Sequence, residues 1–156
     1  MGAALFYHLT EQPLEATLPV LLAKALDAGW RVELRGPDAA LLGRLDDVLW
    51  TRPEDGFLPH GRAGGPDDAH QPILICGPGE AARNDPDCLM AVGGAEVAPA
   101  EAAERERVWI LFDGHDPAAV ARARDQWRQL TSAGCAAQYW AQDGGRWVKK
   151  SESGAG

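Results

Sequence analysis

Apolar positions along the chain come in short blocks that switch between two periods. Ala3 to Leu9 is an apolar and aromatic run closed by Thr10-Glu11-Gln12-Pro13, which predicts a buried strand and a turn. From Leu14 the residues Leu14, Leu18, Leu21, Leu22, Ala25 and Leu26 recur at helical spacing, and Gly29 is placed to end that helix. Pro19 fits near its start, where a missing amide donor costs little, if the helix begins around Pro13 to Thr17. Trp30 to Leu34 alternates into a second strand, and Gly36-Pro37-Asp38 opens a helix carrying Leu41, Leu42, Leu45, Val48 and Leu49. Thr51 to Gln71, rich in Pro, Gly, Asp and His, has no sustained period and predicts a long loop. Its only large apolar residues are Phe57 and Leu58.

The second half repeats the alternation. Pro72 to Cys76 and Cys88 to Val92 predict strands, Ala98 to Glu106 a short helix, and Val108 to Phe112 the clearest strand. Asp116-Pro117 supplies an N-cap and a favoured first helical residue for a helix reaching about Ala133, stopped by Gly134. Ala136 to Gln142 is a last strand, with Asp143-Gly144-Gly145 turning into Arg146-Trp147-Val148. Strands alternating with helices predict an α/β fold in three layers: a mostly parallel central sheet with helices on both faces. Residues 1–150 are expected to form one such domain and residues 151–156 a frayed, flexible tail.

Composition narrows the function. The 156 residues are 46% apolar and 24% charged, ordinary for a folded domain, and no apolar run approaches 18 residues. The start lacks a basic segment followed by a long apolar one, and Cys76, Cys88 and Cys135 are odd in number and far apart. Both point to a cytoplasmic protein with reduced thiols and no membrane segment. The net charge of −8 argues against broad, direct nucleic-acid binding. Its distribution is uneven: residues 1–116 hold 9 Lys+Arg against 20 Asp+Glu, and residues 117–156 hold 6 against 3. The basic surface is C-terminal.

A doubly wound sheet invites a nucleotide-binding enzyme, which we carry as the alternative. Its phosphate motifs are missing: the first strand runs into His8-Leu9-Thr10-Glu11-Gln12-Pro13, without a glycine, and no GxxxxGK[ST] occurs. The glycine-rich Gly61-Arg62-Ala63-Gly64-Gly65 leads into Pro66-Asp67-Asp68 and reads as a connector. Histidines 8, 60, 70 and 115 have no ligand spacing, so neither a metal nor another cofactor is expected. A third class, direct single-stranded nucleic-acid binding through Trp and Arg, has six tryptophans in its favour and the net charge against it.

Two blocks carry a resemblance. Phe6-Tyr7-His8-Leu9, and Leu45-Asp46-Asp47-Val48-Leu49-Trp50-Thr51-Arg52-Pro53 followed by Phe57-Leu58-Pro59-His60, resemble the chi subunit family of DNA polymerase III. The resemblance implies a Rossmann-like, non-catalytic accessory subunit of the clamp-loader complex. It would bind the acidic, phenylalanine-terminated tail of single-stranded DNA-binding protein and touch DNA only indirectly. By the same match Arg124, Trp127 and Arg128 fall in the tail-binding region, with Trp50 adding an aromatic wall. Phe57 and Leu58 mark the docking point for a psi subunit or a helicase. One departure is visible: a lysine-rich stretch of the family is replaced by Ala118-Ala119-Val120-Ala121, leaving Arg122, Arg146, Lys149 and Lys150 as candidate compensating cations.

Overall fold

The computed structural model describes residues 3–51 and 58–153. Eight strands form one sheet: β1 (Ala3–Leu9), β2 (Val32–Arg35), β3 (His60–Arg62), β4 (Ile73–Cys76), β5 (Cys88–Val92), β6 (Arg107–Asp113), β7 (Ala137–Asp143) and β8 (Arg146–Ser153). Their order is β3-β4-β2-β5-β6-β1-β7-β8. All neighbours run parallel except the β7–β8 hairpin.

Alternation along the strands divides the core between the two faces. Tyr7, Leu9, Met90, Val92, Trp109 and Leu111 point to one side, where α1 (Leu14–Asp27) and α2 (Ala39–Thr51) cover them with Leu18, Leu22, Leu42 and Leu45. Ala4, Phe6, Leu89, Ala91, Ile110 and Phe112 point to the other, under α3 (Pro99–Glu104) and α4 (Pro117–Ser132). The three-layer, mostly parallel α/β architecture is the one the hydrophobic pattern predicts. No helix among the described residues is long and apolar enough to cross a membrane.

Local chemistry sets the helix ends. The Asp38 carboxylate accepts the Leu41 amide at 2.9 Å as α2 begins. Asp116 accepts the Ala118 amide at 3.0 Å at the start of α4. At its far end Gly134, at φ +91°, lets the Cys135 amide reach back to the Leu130 carbonyl at 3.0 Å, the Schellman closure of a helix. α1 begins at Leu14, within the expected span, which makes Pro19 its sixth residue, where the Glu15 carbonyl receives no bond from the proline nitrogen.

Two further differences concern the polar segments. The span expected to be a long loop contains β3 and a 3-10 turn at Asp68–His70. Three residues centred on Gly61 are too few to display a period. The second arm of the terminal hairpin runs to Ser153, three residues into the expected tail. Its residues Lys149-Lys150-Ser151-Glu152 are exposed, and backbone pairing with β7 rather than burial makes them a strand.

Candidate functional site

On the face covered by α4, aromatic rings line the strip between the helix and the β7–β8 hairpin, a candidate groove. Trp127 is half-buried and stands edge-on to Phe6 at 5.3 Å and to Tyr139 at 6.4 Å between ring centroids. Tyr139, in β7, lies 5.9 Å from Phe112, and its hydroxyl is 2.7 Å from His8 Nδ1. His8 in turn stacks on Phe112 at 5.1 Å. Gly114 is required by this packing, because a Cβ there would come within 2.1 Å of the His8 ring. Burial raises the Tyr139 hydroxyl pKa, and the positive charge of Arg124 pulls it part of the way back, so Arg124 is electrostatically coupled to the groove floor.

Positive charge collects on α4 and on β8. Arg124 is exposed on α4 and makes no ion pair among the described residues. Arg128, one turn on and 73% exposed, pairs with Asp125 at 3.1 Å, a contact too solvated to hold it strongly. Across the groove, Tyr139 pairs with Ser151, Ala141 with Val148 and Asp143 with Arg146, which sets Val148 and Arg146 on the Tyr139 face. Lys150, the extra residue of a bulge opposite Tyr139/Trp140, reaches Asp143 at 3.8 Å. Of the candidate compensating cations, Arg146 and Lys150 therefore join this surface. Lys149 pairs with Trp140 on the opposite face. Arg122 lies on the other flank of α4, packed over Gly94.

The remaining expected site residues lie elsewhere. Trp50 is not part of the groove: α2 packs on the opposite face of the sheet, towards β3 and β4, while α4 covers β6 and β7. Sequence order could not reveal this, because the two helices are placed by crossovers to different layers. Trp50 is 59% exposed and its ring lies 4.6 Å from that of His60. His60 is fixed by its neighbours, with Nδ1 2.7 Å from the Leu58 carbonyl and Nε2 2.9 Å from Asp46. Leu58 is 7% exposed and belongs to the core beneath α2. Phe57 lies outside the described residues.

The groove residues that sequence reasoning missed are His8, Tyr139 and Val148. His8 and Tyr139 are 131 positions apart and meet only because β1 and β7 pair in parallel. The alternation of β7 was the available signal, and it marks Tyr139 as sharing a face with Ala137.

A concavity of about 880 Å³ opens where β1 and β6 end. These strands lead into helices on opposite faces, the position at which doubly wound sheets hold nucleotides. Its residues do not fit phosphates. The successive amides of Thr10, Glu11 and Gln12, which form the turn after β1, all donate to Gln142 Oε1, at 2.9, 2.8 and 3.1 Å. Seven carboxylates and two guanidinium groups line the cleft, an arrangement that repels an anion.

The family model for the DNA polymerase III chi subunit, HolC, matches residues 1–138, which take in β1, the Trp50–His60 block and all of α4. No curated protein matches the chain. The match spans most of the sequence and includes β1 to β6 in full, and with it the chain belongs to the DNA polymerase III chi subunit family.

Proposed function

We propose that this chain is an adaptor. Through the groove between α4 and the β7–β8 hairpin it binds the acidic, phenylalanine-terminated tail of single-stranded DNA-binding protein. It links that tail to the clamp-loader complex of the polymerase, in the cytoplasm, without contacting DNA itself. A second partner, a psi subunit or a helicase, docks at Phe57.

One observation carries the reading: half-buried Trp127 and Tyr139 are in ring contact, with Arg124 and Arg128 exposed on the helix that carries Trp127 and Arg146 and Lys150 on the face of the hairpin that carries Tyr139. An acidic peptide with an aromatic end needs both features together, cations for its carboxylates and an apolar seat for its ring. Neither the family match nor the fold alone would select this face.

The test is fluorescence anisotropy with a labelled synthetic peptide copying such a tail, at two salt concentrations. Saturable binding is expected to weaken with salt, because exposed ion pairs are screened over about 8–10 Å at ordinary ionic strength. Reversing the charge in Arg124→Glu should weaken it by about tenfold or more. A folded wild-type protein that fails to bind the peptide would refute the proposal.

A further inference from the structure

β8 ends the sheet, and its outer side has no neighbouring strand among the described residues. Arg146–Ser153 is eight residues, about 26 Å of edge whose outward amides and carbonyls have no ladder partner. The opposite end of the sheet is β3, with three residues, too short to template a peptide.

The side chains of β8 select among possible occupants. The strand carries Arg146, Lys149 and Lys150 against a single acid, Glu152. The pairs Lys149–Glu152 at 3.2 Å and Lys150–Asp143 at 3.8 Å are solvent-exposed and exchange readily for other carboxylates. A second copy of the chain pairing antiparallel about a two-fold axis at Val148, Lys149 or Lys150 would set Lys150 opposite Arg146, or one of the two lysines opposite itself. Like charges directly opposite destabilise such a pair. An extended acidic strand meets the same edge with opposite charge.

We infer that the free edge of β8 is a strand-addition site for an extended acidic peptide, the segment that precedes the aromatic end of the tail. The inference rests on the groove reading above and adds to it a main-chain contact. An added strand would lie about 10 Å from β7, two inter-strand spacings, and two or three extended residues cover that distance. The peptide can therefore pair along β8 and still cross its face to seat an aromatic end against Tyr139 and Trp127.

The experiment uses the full chain and three synthetic peptides: the unmodified acidic, phenylalanine-terminated sequence, and two versions N-methylated at alternate amides of the acidic segment. Strand addition predicts that one methylated register binds about tenfold or more weakly, having lost its ladder donors, while the other binds as the parent does. It also predicts slowed hydrogen exchange at alternate amides of Arg146–Ser153. If both methylated peptides bind as tightly as the parent and exchange in β8 is unchanged, while Arg124→Glu still weakens binding, the strand-addition site is overturned and the groove stands. If the unmodified peptide does not bind at all, both fall.

Discussion

Gln142 offers a quantitative test of how the β1–α1 turn is held. One side-chain oxygen accepts three consecutive backbone amides, those of Thr10, Glu11 and Gln12. In Gln142→Leu the apolar bulk is retained and the acceptor removed. Glu11 and Gln12 are exposed, so their amides can turn to water at little net cost, whereas Thr10 is half-buried and its amide would be left poorly solvated. One such group costs about 1–3 kcal/mol, and partial access to water places the variant near the lower part of that range, about 1–2 kcal/mol. For a chain of this length each kcal/mol corresponds to roughly 2–4 °C, so the melting temperature should fall by roughly 2–8 °C. Differential scanning calorimetry reads the fall, and hydrogen exchange at residues 10–12 should accelerate more than exchange in β5. An unchanged melting temperature with unchanged exchange at residues 10–12 would show that the Gln142 side chain does not hold the turn.

Glu33 is 1% exposed and bridges Arg35 at 2.9 Å and Arg105 at 3.0 Å, tying β2 to the segment after α3. Glu33→Leu should cost about 3–5 kcal/mol in urea unfolding, because Arg105 loses its carboxylate, and a loss below about 1 kcal/mol would contradict that role. Asp116→Ala should lower stability by about 1 kcal/mol through the lost cap of α4, and no change would mean that Pro117 alone sets the helix start. Burial pushes the thiols of Cys76 and Cys88 up to about 12, from 9.0. Unfolded thiols ionise first, so the stability held by these neutral thiols is complete below about pH 9 and is lost as pH rises towards 12. Urea midpoints measured across that window should decline less steeply in the Cys76→Ala, Cys88→Ala protein, and parallel curves would contradict the assignment.

Most of the scaffold was legible from the order of residues. Strands β1, β4, β5 and β6 are continuous apolar runs because both faces are covered, and α1, α2 and α4 display their buried stripes openly, with Gly29 and Gly134 marking the ends of α1 and α4. Two polar stretches were not legible: β3 is too short to carry a period, and β8 beyond Val148 is too polar and exposed. The candidate site divides the same way. Arg124, Trp127 and Arg128 share a helix, so spacing places them together. Their companions Tyr139, His8 and Val148 arrive through strand pairing, and Trp50 is taken away by a crossover to the other layer. Contacts fixed by topology leave no local trace in the sequence.

The six tryptophans make the central claim directly measurable, since each indole N–H gives a separate signal in a ¹H–¹⁵N correlation spectrum. Titrating the labelled chain with the acidic, phenylalanine-terminated peptide should shift the Trp127 indole progressively and leave the Trp50 indole, on the opposite layer, where it is. A shift at Trp50 with Trp127 unmoved would place the tail on the α2 face, not beside α4.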